Sequence, residues 1–450
     1  MITFVTTMKQ KLILLLMLAT ITAGAKDYNI CDFGAVSRPE VLNTTAVQAA
    51  IDQCHADGGG RVIVPAGNFV IGTIVLKSNV NLHLEHGATL SGSTDLNDYR
   101  RMKSSYVSLR TQTETVQLVY ADSVENVVID GHGTIDGRGK AFPKLSWNDE
   151  GITRPHLLRF IQSRDITVKD ITLRNSGCWM QHYLACDRVR LTGLRIFNRN
   201  NYNNDALDLD GCHDVVVSDL IADSDDDGIT LKSTSPRLCE NITIQNCVVS
   251  SHCNAVKLGT ETNGGFRNIH ISGITVRPSA DQSSKFFGND RGTSALSLEI
   301  VDGGVMENVV VSGMTIIGTE SPIFVRLGHR GRGWLEGQHI EQVGKLHGVT
   351  ISDIRAIEAG NIGCSITGLP DHPVDDIVLR DIYISQQGGV TDVIVPADEK
   401  AAEYPEATMW GPLPAIGFFV RHARRVHFER VEVRAERADA RPTFFYEDAE

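Results

Sequence analysis

Apolar and polar residues alternate along this chain in short runs, and the runs recur. Each starts with Asn, Asp, Gly or Arg and continues with mostly β-branched residues at alternate positions. They read Asn126-Val-Val-Ile, Asp165-Ile-Thr-Val, Arg188-Val-Arg-Leu, Asp214-Val-Val-Val, Asn241-Ile-Thr-Ile, Asn268-Ile-His-Ile, Asn308-Val-Val-Val, Gly348-Val-Thr-Ile, Asp376-Ile-Val-Leu and Arg425-Val-His-Phe. The central starts, at 165, 188, 214, 241 and 268, are 23, 26, 27 and 27 residues apart. A period of two within a run predicts a strand. A fixed period of this size between runs predicts stacked repeats. No helical period runs through them, which disfavours helical arrays. The expected fold is all-β, a single-domain parallel β-helix with short strands of four or five residues. Stacked coils bury together the apolar side that one coil cannot bury alone.

Two segments depart from the pattern. In Thr44–His55, Val47, Ala50, Ile51 and Cys54 share one face at helical spacing, which predicts an N-terminal helix capping the open end of the solenoid. Residues 1–25 have the plan of a removable signal peptide: Lys9 and Lys11, an apolar run Leu12–Leu18, then Ala23-Gly24-Ala25. The run is too short to span a bilayer. A secreted or periplasmic protein with one domain over 26–450 is expected. Longer gaps between repeats predict loops that carry Trp147, Phe286, Phe287, Trp334 and Trp410. Such aromatics either stack on a sugar or cover the core.

Charge and cysteine usage narrow the function. The net charge is −12, and the chain without Lys9 and Lys11 is more negative still. This excludes nucleic acid and anionic membrane surfaces as expected partners. None of the nine cysteines stands at zinc spacing. Cys31 and Cys54 are a candidate disulfide in an oxidising compartment. Cys186, Cys212 and Cys239 hold equivalent places in successive coils, as expected for an inward ladder of small apolar side chains.

The chemistry concentrates in three strands headed by polar residues: Asp205-Ala-Leu-Asp-Leu-Asp-Gly211, Asp227-Gly-Ile-Thr-Leu-Lys-Ser233 and Asn254-Ala-Val-Lys-Leu-Gly-Thr260. Asp226 precedes the second and His252 the third. Coils stack about 4.8 Å apart, so Asp205 and Asp227 become neighbours with Asp226 offset by one residue. Carboxylates and an imidazole in that arrangement suit acid/base hydrolysis of a glycosidic bond. Asp226 suits the acid, its proton retained by the crowded anionic cluster. Asp205 and Asp227 suit a shared water. Asp208 and Asp210 would line the groove. A solvated turn or calcium loop is the competing reading of Asp223, Asp225, Asp226 and Asp227.

These residues resemble glycoside hydrolase family 28, the polygalacturonases, and the resemblance runs through nearly the whole chain after residue 25. Cys-Asp-Phe-Gly-Ala (31–35), Gly58-Gly-Gly, Val64-Pro-Ala-Gly67, Leu82-His-Leu-Glu-His-Gly-Ala88 and Gly133-Thr-Ile-Asp-Gly137 are similar to the family's opening. Asn203-Asn204-Asp205 resembles its Asn-Thr-Asp motif, Asp226-Asp227 its Asp-Asp motif, and Ser251-His252-Cys253 matches its Gly-His-Gly motif only at the histidine. The resemblance implies a right-handed β-helix, catalysis by Asp205, Asp226, Asp227 and His252, no cofactor, no metal, and a pectic poly- or oligosaccharide substrate. Asn204 and Lys232 are expected to bind that substrate. The family's Arg-Ile-Lys motif, which holds the substrate carboxylate, is replaced by Leu296-Ser297-Leu298-Glu299. Lys257 and Arg326, expected in Ser297's column one coil to either side, are the candidate replacements. The resulting expectation is an inverting hydrolase of α-linked galacturonic acid, either a polygalacturonase or galacturonidase or a rhamnogalacturonan hydrolase. A β-helix lyase using calcium or Lys232 or Lys257 is the alternative. A non-catalytic carbohydrate-binding solenoid fits less well, since binding alone asks for no cluster of three carboxylates.

Overall fold

A computed structural model describes residues 26–146, 149–281 and 291–450. The expected leader, Trp147, Phe286 and Phe287 lie outside the described residues. The repeats wind into a right-handed parallel β-helix, and the described strands pair in parallel except Arg101–Met102 with Thr115 and Val116.

The first residue of every repeat explains the sequence pattern. Asn126, Asp165, Arg188, Asp214, Asn241, Asn268, Asn308, Gly348, Asp376 and Arg425 all have positive φ, between 49 and 65°. Asn, Asp and Gly tolerate this left-handed corner best. The next residue is an apolar rung: Val127, Ile166, Val189, Val215, Ile242, Ile269, Val309, Val349 and Ile377 stack in register and are buried. On the outside the corner amides bond from coil to coil, Asn268 Nδ2 donating to Asn241 Oδ1 (3.0 Å) and Asn308 Nδ2 to Asn268 Oδ1 (2.7 Å).

Three stacks of strands make the early coils. From Gly265 onward two of them fuse. Gly265–Val276 pairs with Cys239–Gln245 through its first half and with Val248 and Val249 through its second. The fused strands are therefore longer than the four or five residues expected, reaching Lys345–Ala359 and Phe418–Arg437. The helix forms over Thr44–Ala56, buries Val47, Ala50, Ile51 and Cys54, and packs on Lys26–Asn29, Gly60–Val64 and Val80–Leu84. Cys186, Cys212 and Cys239 form the inward ladder, all fully buried. The Cys31–Cys54 disulfide is not formed: all nine cysteines are free, with Cys31 exposed and Cys54 in the helix core. Among the described residues no helix is long and apolar enough to cross a membrane.

Candidate active site

The site lies on the outer face of one stack: Gln181–Leu184, Leu207–Asp210, Ile229–Ser233, Asn254–Thr262, Gly292–Ile300 and Thr319–Leu327. Leu209, Leu231, Leu258, Leu298 and Val325 are buried in the core. Alternation therefore turns Asp208, Thr230, Lys232, Lys257, Ser297, Glu299, Phe324 and Arg326 outward. Ala206 N donates to Asp227 O (3.0 Å) and Gly228 N to Asn254 O (2.8 Å), so Asp205, Asp227 and Asn254 occupy equivalent positions at successive strand heads.

The three carboxylates meet there in different surroundings. Asp227 Oδ1 accepts from Asn254 N (3.1 Å) and Nδ2 (2.8 Å), and its Oδ2 lies 3.2 Å from Lys257 Nζ. Asp205 is 3% exposed; its Oδ1 has no hydrogen-bond partner, and its Oδ2 is 3.8 Å from Lys232 Nζ. Asp226 alone of the three is not fully buried. Its backbone carbonyl is fixed by the hydroxyls of Ser224 (3.1 Å) and Ser251 (2.6 Å), and its Oδ1 accepts from Asp227 N (2.9 Å). Burial first, and the charge of Asp227 second, push Asp226 up to about 7. Burial, then Asp208 and Asp226, hold Asp205 well above the usual carboxylate range. Burial is also the largest cause that pushes Asp208 and Glu299 up to about 7 and Glu406 to about 8.

Lys232 and Lys257 are the cations among these acids. Lys232 Nζ lies 3.5 Å from Asp208 and 3.7 Å from Glu261, over the Trp179 ring. Lys257 Nζ donates to Tyr404 Oη (3.1 Å) and is 3.9 Å from Glu406. Burial opposes charge on Lys257, but Asp227, Tyr404, Glu299 and Glu406 outweigh it and hold its pKa above normal.

Two residues singled out from sequence are placed differently from expectation. Asn204 is fully buried, and its amide is consumed by the chain: Oδ1 accepts from Asn200 N (3.0 Å) and Asn201 N (2.6 Å), and Nδ2 donates to Ser176 O (3.1 Å) and Cys178 O (3.0 Å). An amide has two donors and one acceptor oxygen, so nothing remains for a substrate. Arg326 is not in Ser297's column. Register places Phe324 beside Ser297 and Arg326 beside Glu299, one pleat further on. Arg326 is 1% exposed, donates to Gly368 O (3.1 Å) and Glu399 O (2.6 Å), and stacks on Trp410. Lys257 does share Ser297's column. His252, just before the third strand head, is 1% exposed; its Nδ1 is 3.1 Å from Asp225, and Arg199 Nη2 is 2.9 Å from its ring nitrogens. Trp410 is half-buried, packed on Phe419 and Arg326, with Nε1 donating to Asp398 O (3.0 Å).

The sequence reading missed Arg110, Trp179, Glu261, Arg330, Arg332, Tyr404 and Glu406. Arg330 and Arg332 had a local signal, a Gly-His-Arg-Gly-Arg-Gly run just past the outward-facing strand 319–327. Arg110, Tyr404 and Glu406 come from aperiodic segments that fold back over the groove, and nothing in their neighbourhood announces it. Among the described residues, Asp226, Asp227 and Cys253 form the group whose ligand atoms lie within 4.8 Å of one another. Burial, then Asp226 and Asp227, hold the Cys253 thiol well above its normal pKa, so the donors are two carboxylates and a protonated thiol.

The profile of the glycosyl hydrolases family 28 matches residues 54–392. A probable polygalacturonase of Vitis vinifera is 25% identical over 81% of this chain and 76% of its own length. An exo-poly-alpha-D-galacturonosidase of Dickeya chrysanthemi is 25% identical over 63% of this chain, which spans about half (54%) of that relative. A hyperthermoactive exopolygalacturonase of Thermotoga maritima superposes with a TM-score of 0.67 over 81% of this chain and 88% of its own, at 22% identity, a likeness of fold. The chain belongs to glycoside hydrolase family 28 and is a glycoside hydrolase.

Proposed function

We propose that the protein is an inverting hydrolase of α-linked galacturonic acid in pectin-type poly- or oligosaccharides. The observation that carries this reading is the trio of Asp205, Asp226 and Asp227, in which Asp226 is the groove-facing acid with a pKa near 7. Inversion uses one protonated carboxyl at the leaving oxygen and a carboxylate holding water on the other face. Asp226 donates the proton. Asp227, oriented by Asn254 and Lys257, and Asp205, with its free Oδ1, hold the water. His252 supports the strand head through Asp225 and Arg199. This chemistry needs no cofactor or metal. Lys232 and Lys257, held charged between carboxylates, are poor bases for the proton abstraction that a lyase requires.

The closure of the groove favours cutting at a chain end. Along the outward row, Arg159, His182, Lys257, Ser297 and Phe324 are each at most 2% exposed. The loop before Thr115 covers one end, Arg159 donating to Arg110 O (2.6 Å), and the segment 389–417 covers the other through Tyr404 and Trp410. A chain threading through needs both ends open. An exported protein, processed after residue 25 and acting as one domain over 26–450, completes the reading, because polymeric pectin lies outside the cell. Incubation with galacturonic acid oligomers, followed by mass analysis, should show single sugars released from one end. Cleavage of a neutral galactoside with every galacturonide left intact would overturn the substrate class.

A further inference from the structure

The basic pair that the family uses for the substrate carboxylate is missing at Ser297 and Glu299, and both replacements expected from sequence are spoken for. Lys257 is paired with Asp227 and Tyr404, and Arg326 is bonded to carbonyls. A different cationic cluster stands on the other side of Lys232. Between Leu231 and Ser233 the register with the next coil jumps from Leu258 to Thr262. This bulge lifts Glu261 toward the groove. Three cations surround that one carboxylate: Arg110 Nη2 at 2.7 Å, Arg332 Nη2 at 2.5 Å and Lys232 Nζ at 3.7 Å.

The arginines are placed by backbone. Arg330 N and Gly331 N both donate to Val301 O (2.8 and 3.0 Å), and Arg332 N donates to Asp302 Oδ1 (3.0 Å). Gly331 has φ +67°, and a Cβ there would fall 2.5 Å from the His339 ring, so the turn between the two arginines depends on glycine. Asp302 pairs with Arg330. Arg110 lies over the Trp179 ring at 4.5 Å, beside Lys232 over the same ring at 4.7 Å.

Three cations share the one Glu261 carboxylate, Lys232 also lies near Asp205 and Asp208, and Asp302 pairs with Arg330. The two arginines on Glu261 have side chains that reach solvent, Arg110 at 27% and Arg332 at 40% exposure, and Glu150 and Asp210 act on Arg110 as well. The Nε atoms of both are buried without hydrogen-bond partners, as is Glu261 Oε2 in a residue 4% exposed. Lys232, 3.7 Å from Glu261 and 3.8 Å from Asp205, links the cluster to the carboxylates of the site. Planar guanidinium groups are suited to a carboxylate.

We propose that Arg110 and Arg332, arranged around Glu261 and backed by Arg330, bind the carboxylate of an acidic sugar beside the bond to be cut. This rests on the acidic-substrate reading above, and the experiment separates the two. Wild type, Arg332→Gln, Arg332→Lys and Arg110→Gln/Arg332→Gln are assayed on a galacturonide and on the galactoside that differs only in lacking the carboxylate. Removing a charge-assisted hydrogen bond to the substrate raises KM by about tenfold or more. The expected result is a KM for the galacturonide raised about tenfold in Arg332→Gln and further in the double variant, with a much smaller change for the galactoside and partial recovery in Arg332→Lys. Equal weakening of both substrates would assign the arginines to loop support alone and overturn the proposal. An unchanged galacturonide KM in both variants would also overturn it, with the function reading intact. A wild type that prefers the galactoside would remove the function reading and this proposal together. If the double variant does not fold, free galacturonic acid is titrated into Arg332→Gln and into wild type: weaker binding by the variant supports the proposal, and equal binding overturns it.

Discussion

Asp226 is a reactive acid because of what surrounds it. Burial and Asp227 push its pKa up to about 7, so it carries a proton at the pH where an ordinary aspartate has lost it. Asp226→Asn keeps the size and loses the proton, and turnover should fall by about 10²–10⁴-fold, the usual worth of a general acid, while circular dichroism is unchanged. The acid works only when protonated, so in wild type kcat should decline as pH rises through about 7, while its acid limb reports the carboxylate that holds the water. A flat profile from pH 5 to 9 would assign the proton to another group. Asn204 makes the opposite case. Its motif match was legible, but a motif gives identity and not remaining hydrogen-bond capacity. With four backbone partners, Asn204→Ala should lower stability by about 1–3 kcal/mol through the loop before Asp205. A KM rise without a stability change would restore it as a substrate ligand.

At the scale of elements, the strands were legible because each corner needs a residue that accepts positive φ and each rung an apolar β-branched residue. Asn241-Ile-Thr-Ile states both requirements in four letters. The column of Arg326 was misjudged because register depends on how many residues the preceding turn consumes, which strand sequence alone does not encode. The covering segments were invisible for a related reason: 389–417 has no regular structure and is held by scattered backbone bonds and individual side chains. Trp410 is one of them, stacked under Arg326 at 5.0 Å and edge-on to Phe419 at 6.4 Å. Trp410→Ala should loosen this segment, so that limited proteolysis within 389–417 accelerates while the solenoid melts at nearly its wild-type temperature. A parallel fall of both would make the segment part of the core.

For the whole molecule, the solenoid is stable through its stacked rungs, yet it also buries acids that prefer to be neutral. Burial pushes Glu406 up to about 8 and Asp208 and Glu299 to about 7, against about 4 in an unfolded chain. A carboxyl with a raised folded pKa stabilises fully below its unfolded pKa, and that contribution is lost as pH climbs through the folded value. The melting temperature should therefore fall between pH 5 and pH 8, and Glu406→Gln should flatten the fall. An identical slope in the variant would place its proton elsewhere. Because carboxylates alone supply both proton and base, EDTA should leave activity intact; loss restored by calcium would favour elimination. The central claim is inversion by Asp226 across the site from the Asp205/Asp227 water, and the anomeric form of the first product tests it most directly. Proton NMR during the opening minutes of hydrolysis of an α-galacturonide should show the β anomer appearing first and mutarotating to the mixture. The α anomer first, or an unsaturated sugar, would contradict it.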